Sequence, residues 1–206
     1  ALVEMDDDVR KEYLDVLPSE TIAKRFVDYM DTDDAVELMR DLDEDKQEEI
    51  LAHIEDIEQA GDIVDLLKYD EDTAGGIMGT EMVLVNENWS MPECLREMRQ
   101  QAEELDDIYY VYVVDNEERL VGVLSLRELI VARENSIVKD LMSDNIISVF
   151  VDVDREEAVR LVSKYNLIAI PVIDREHRLK GIITVDDIID VMEEEANEDM
   201  YKFAGT

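Results

Sequence analysis

The sequence predicts a mixed α+β protein in two parts: an all-helical region over about the first 70 residues, then a duplicated unit that runs into an acidic helix. Three observations predict it. In the first part, apolar side chains recur at helical spacing in short blocks whose starts fall roughly 11 to 13 residues apart. From Ile77 onward the chain repeats itself, with a period of about 60 residues. Acids outnumber bases throughout, 55 Asp and Glu against 20 Lys and Arg, for a formal net charge of −35.

The helical blocks are Ile22, Phe26, Tyr29 and Met30; Ala35, Leu38, Met39 and Leu42; Ile50, Leu51 and Ile54; and Ile63, Leu66 and Leu67. Ser19, Thr32 and Asp43 precede helix-like stretches and can cap them. Helices this short bury little alone, so they must stack in a bundle or small superhelix. Pro18 and Gly61 mark joints, and Asp70 to Gly79 reads as a linker out of the region.

In the repeat, Ile77-Met78 recurs as Leu141-Met142, and a strand-like run at Met82 to Val85 recurs at Ile146 to Val149. Ser90 with Glu93 and Asp154 with Glu157 look like capping boxes opening a helix. Two β-rich runs follow, Ile108 to Asp115 and Leu167 to Asp174. Each copy then closes on a matching segment, Arg119 to Ile130 in the first and Arg178 to Ile189 in the second. The first copy carries five extra residues near Glu103 to Asp107. Each copy therefore reads strand, helix, strand, turn, strand, helix, a βαββα unit.

Charge narrows the function classes. A field this negative repels nucleic-acid phosphates and anionic headgroups and attracts cations, so nucleic acid is not an expected partner. Cys94 is the only cysteine, which excludes an intrachain disulfide and suits a reducing compartment. The longest apolar runs fall far short of the ~20 residues of a membrane helix. The chain is expected to be soluble and intracellular and, because it begins at Ala1, to be part of something longer. His53 and His177 have no nucleophile or metal partner nearby in sequence, and no phosphate-binding loop, nucleophile elbow or zinc-protease motif occurs. No enzyme activity is expected.

The last helix carries the strongest chemical signal. At 100° per residue Asp187, Asp190, Glu194 and Glu198 share one arc of roughly 80°, while Val185, Ile188, Ile189, Met192 and Ala196 occupy another. Acids at this spacing repel one another and oppose the dipole at the helix C-terminus. No Lys or Arg stands between Lys180 and Lys202. Carboxylates without a Cys or His cluster suit hard cations, and magnesium needs only one or two of them per site.

The duplication, with Gly122-Ser125-Glu128 and Gly181-Thr184-Asp187 as copies of one Gly-x-x-Thr/Ser-x-x-Asp/Glu pattern, resembles a tandem pair of CBS domains. More narrowly, an acidic helical domain, a linker like Asp72 to Met78, a CBS pair and an acidic closing helix resemble the cytosolic region of the MgtE family of magnesium channels. The resemblance implies an acidic helical domain over residues 1–72, CBS domains over 73–135 and 136–192, and over 193–206 the start of a helix leading to a membrane domain. It implies a homodimer at the cytoplasmic face of the membrane, a sensor of magnesium that gates transport through its own transmembrane domain. Matched residue by residue, it points to Asp154, Glu156, Asp186, Asp187, Asp190, Glu198 and Asp199 as magnesium ligands. On the helical domain it points to Asp33, Asp34 and Glu37, with Asp41 one turn on. Asp154 has a rival role as a helix N-cap.

CBS pairs also bind adenine nucleotides, and this implies a second candidate ligand, ATP. Thr184 and Asp187 would reach phosphate and ribose, with Ile170 and Ile146 lining a base pocket. Glu128 replaces Asp in the first copy, so two equivalent sites are not expected. The alternatives are thus a nucleotide-sensing module and the regulatory fragment of an enzyme.

Overall fold

The computed structural model describes residues 2, 5, 7–103, 105 and 107–204, excepting the side chains of 7, 8, 197–199 and 201–204. The chain divides into two compact units, Ala1–Asp70 and Glu71–Thr206. This is the α+β architecture expected from the sequence: helices first, then two small sheets with their helices.

The first unit contains α1 (Asp7–Asp15), α2 (Ser19–Arg25), α3 (Thr32–Arg40), α4 (Glu44–Leu51) and α5 (Ile57–Leu66), with a single 3-10 turn at Val27–Tyr29. Leu14, Ile22, Val27, Leu38, Met39, Ile50 and Ile63 are fully buried and form its centre. Two expectations fail here. α2 ends at Arg25 and the following turn rotates the chain, so Val27 points inward while Tyr29 is 84% exposed. Gly61 is no joint: it lies inside α5 in open space.

Polar side chains complete the helix ends, whose last carbonyls have no partner within the helix. The Lys46 Nζ donates to Leu14 O (2.6 Å) and Asp15 O (2.9 Å) at the end of α1. The Gln47 amide donates to Met39 O and Leu42 O, and the Gln59 amide to Val27 O and Met30 O. Asp43 caps α4 as expected, and Asp56, which the sequence reading missed, caps α5 with two bonds. Ser19 and Thr32 are instead the first helical residues, behind Pro18 and Asp31.

The second unit holds both copies of the repeat. Copy one contains β1 (Val83–Asn86), α6 (Met91–Ala102), β2 (Val111–Val114), β3 (Leu120–Leu124) and α7 (Leu126–Val131). Copy two contains, after the short α8 (Val138–Leu141), β4 (Val149–Phe150), α9 (Arg155–Tyr165), β5 (Ala169–Ile173), β6 (Leu179–Thr184) and α10 (Val185–Ala204). In each sheet the first strand pairs parallel with the second and the second antiparallel with the third. The fourth strand is shorter than its sequence pattern suggests, because residues 146–148 are irregular. The free side of β1 is closed by Gln101, whose amide accepts from Leu84 N–H and donates to Leu84 C=O, both at 2.8 Å.

The segment read as a linker is built into the fold, and it belongs to the other copy. Ala74 and Gly75 donate to Val153 O and Val151 O, and Gly79 pairs with Ile182 of β6 through two bonds of 2.8 and 2.9 Å. Reciprocally, Val138 and Lys139 donate to Trp89 O and Glu87 O, and Ser143 pairs with Val123 of β3. Val138 is a member of the first copy's core. A third contact joins the two β-turns, with Leu120 N–H donating to His177 O and Leu179 N–H to Glu118 O. Gly79 and Ser143 lie 64 positions apart, whereas Val123 and Ile182 lie 59 apart. The difference is the five-residue insertion read from the sequence.

This exchange explains the repeat's signature. A Cβ on Gly181 would meet the Gly79 carbonyl oxygen at 2.5 Å and Met78 Cγ at 2.9 Å, and a Cβ on Gly122 would strike Met142, with Cγ at 2.8 Å. Each glycine makes room for the other copy's methionine. The hydroxyl and acid that follow form a helix cap, with Glu128 accepting from Ser125 N–H (2.7 Å) and Oγ (3.0 Å). Asp187 accepts from Thr184 N–H (2.8 Å) and Oγ1 (2.7 Å).

Substituting Gly181→Ala should destabilise the second unit by about 1–3 kcal/mol in urea unfolding, because a backbone carbonyl cannot move aside. Gly122→Ala should cost less, and adding Met142→Ala should restore part of the loss. Equal effects of the two glycine changes would contradict the asymmetry of their neighbours.

Candidate metal and ligand site

α10 follows β6 directly, so its acids begin where the sheet ends. Its buried line is Ile188 and Val191, at 2% and 4% exposure, with the helix packed on α9. Ile189 and Met192, expected on the packed face, are each 49% exposed. The packed face is therefore rotated toward the acidic column. Asp187 is half-buried at its rim, Asp186, Asp190 and Glu194 are exposed, and Glu195 is half-buried beside the core line. The side chains of Glu198 and Asp199 lie outside the described residues.

Most of these acids already have work in the fold. Asp187 caps α10, and the Thr184 hydroxyl also donates to Asp186. The absence of bases along α10 itself is answered from another helix. Arg155, the first residue of α9, pairs with Glu194 (2.8 Å), Glu195 (3.4 Å) and Asp72 (3.6 Å). Burial works against its charge, but Glu194, Asp72 and Glu195 more than offset this and raise its pKa.

Asp154 takes the capping role, accepting from Glu156 N–H at 2.8 Å, without the reciprocal bond from Glu157 that a full box needs. Its side chain is exposed, as is that of Glu156, which lies 3.8 Å from Arg160. In the first unit, Asp33 and Asp34 open α3 half-buried, with Asp33 accepting from Asp34 N–H. Glu37 and Asp41 flank a side chain the sequence reading passed over. Arg10 is 2% exposed and donates to Glu37 (2.7 Å) and Asp41 (2.6 Å). Here too burial opposes the charge, and the Asp41 and Glu37 carboxylates overcome it and raise the pKa. Glu37 thus serves a resident guanidinium. Among the described residues no three His, Cys, Asp or Glu side chains converge into a metal cage.

The nucleotide candidates are only partly brought together. Thr184 and Asp187 are bonded to each other. Ile170 pairs across the sheet with Ile183, while Thr184 pairs with Ala169, so Ile170 faces the opposite side from Thr184. Ile170 is also fully buried and offers no surface to a base. Ile146 is half-buried in the irregular stretch before β4. Glu128 caps its helix just as Asp187 does, so the Asp-to-Glu difference leaves the backbone geometry of the first copy intact.

The interlocked βαββα units with their glycine and cap signature define a tandem CBS module, here preceded by a helical domain. The CBS domain model matches residues 74–135 and 138–194, and the MgtE intracellular N domain model matches residues 1–72. The crystal structure of the soluble part of a magnesium transporter superposes with a TM-score of 0.84 at 38% identity, covering 95% of this chain and 76% of that one. The cytosolic domain of the Mg2+ channel MgtE in complex with ATP superposes at 0.82 and 36%, covering 92% and 77%. The magnesium transporter MgtE of Thermus thermophilus is 48% identical over 137 residues, 66% of this chain and 30% of that protein. The chain belongs to the MgtE family. It spans only about a third of the length of the curated relatives it matches (30%, 33% and 39%). Among the described residues no helix is long and apolar enough to cross a membrane.

Replacing Arg10 with Met should destabilise the helical unit. Removing one partner of a fully buried pair costs ~3–5 kcal/mol, and the exposure of Glu37 reduces this to about 1–3 kcal/mol. Urea unfolding followed by helical circular dichroism checks it; an unchanged midpoint would mean that Arg10 only fills space.

Proposed function

We propose that this chain is the magnesium-sensing part of a magnesium channel, working at the cytoplasmic face of the membrane as a regulator without enzyme activity of its own. The observation that carries the reading is the row of acids on α10, in a chain that belongs to the MgtE family. At low magnesium the acidic faces of the helical unit and the CBS module repel. At high magnesium, hydrated ions bridge them through one or two carboxylates each, drawn from Asp154, Glu156, Asp186, Asp187, Asp190, Glu198 and Asp199 and from Asp33, Asp34 and Glu37. Fixing α10 then closes the pore of the transmembrane domain. A two-state element needs about 5.5 kcal/mol to move from 1:99 to 99:1. One site at ten times its dissociation constant supplies ~1.4 kcal/mol, so roughly four weak sites suffice.

A homodimer fits the same reading. Ile130 and Val131 of α7 are 82% and 70% exposed, and Ile189 and Met192 of α10 add a second apolar stripe in the same unit. A nucleotide site is the second reading, supported by Thr184 and Asp187 at the β6–α10 junction and by a relative solved with ATP. In it the module senses ATP, and the acidic surface serves solubility.

Small-angle scattering in magnesium chloride, against sodium chloride at matched ionic strength, tests the first reading. Contraction in magnesium alone is expected; equal contraction in both salts reduces the effect to screening and overturns the reading. Calorimetry with ATP and magnesium added separately tests the second, which requires tight ATP binding without a magnesium response.

A further inference from the structure

Arg155 is a cation in an unfavourable place. It occupies the first position of α9, where the helix dipole favours acids and disfavours bases. It stands there with its side chain only 15% exposed, and its backbone N–H is fixed to Asp72 O at 2.9 Å. The guanidinium turns each of its three nitrogens to a different carboxylate, Asp72 by Nε, Glu194 by Nη1 and Glu195 by Nη2. Glu194 belongs to the acidic column of α10, and its pairing crosses 39 positions of sequence. A site occupied by a tethered cation takes a free one only by displacing it.

We propose that Arg155 is a resident counter-ion that sets the divalent-ion threshold of the α10 acids. It holds Glu194 and Glu195 in place at low ion concentration, and a divalent cation reaches them only in competition with the guanidinium. The proposal rests on the magnesium reading above and adds Glu194 and Glu195 to the acids on which that reading draws. Its physical content is separate: the threshold is written in a side chain that is not itself a ligand. Arg supplies a planar fork that meets several carboxylates at once, which the point charge of Lys cannot do.

The test is a magnesium titration of the 206-residue chain, following the amide and side-chain carboxyl NMR signals of Glu194 and Glu195, with sodium chloride at matched ionic strength as reference. Arg155→Gln should lower the magnesium midpoint at these two residues by roughly two- to five-fold. Arg155→Lys, which keeps the charge and loses the fork, should fall between. Lys164→Gln removes the same charge from the same helix and should leave the midpoint unchanged. Amide dispersion in each variant establishes that it is folded. Equal midpoints in the wild type and Arg155→Gln overturn the proposal, as does an equal shift from Lys164→Gln, which would reveal only a general field. If magnesium moves no signal beyond sodium chloride in any variant, the magnesium reading itself fails and this proposal fails with it.

Discussion

The second unit depends on one reciprocal constraint: each copy of the repeat is finished by the other. Gly79 extends the sheet of copy two and Ser143 that of copy one. The methionines beside them fill the spaces that Gly181 and Gly122 leave open. Neither copy keeps its own opening segment, so neither sheet is complete alone. The helix caps at Ser125 and Thr184 begin only a few residues after those glycines, so the direction of α7 and α10 is fixed by the same exchange. The course of the acidic helix is thus set by a contact with residues near the start of the unit.

The second theme is electrostatic. A chain with 55 acids and 20 bases cannot pair most of its carboxylates internally. It places a few arginines deep, Arg10 in the helical unit and Arg155 at the head of α9, each serving more than one carboxylate. These are the partly buried pairs, where water screens least. Other ion pairs, such as Lys24 with Glu20 and Lys68 with Asp65, are local and exposed and contribute little.

What the sequence revealed was local. Period and caps exposed the five-residue insertion, the order of strands and helices, and the capping role of Asp43 and of Ser90 with Glu93, because each depends on neighbours a few positions away. The exchange between copies was hidden: Asp70 to Gly79 has the composition of a linker, and nothing in it names Val151, Val153 or Ile182 as partners. Tyr29 was misplaced because a 3-10 turn shifts the phase that helical spacing assumes. The acidic column of α10 was legible as a row, whereas Arg155, 39 positions from Glu194, was invisible to any reading of α10 alone. Alternation along β5 puts Ile170 on the far side from Thr184, a separation that residue types alone do not show.

One small feature bears on how the protein survives in a crowded cell. β1 is the outermost strand of its sheet, and an outermost strand is an invitation to foreign backbone. The carboxamide of Gln101 has the shape of a peptide group, and it engages the outward N–H and C=O of Leu84 as a neighbouring strand would. The rim therefore carries a one-residue plug supplied from its own helix, and a stray β-segment would have to expel it before it could zip on.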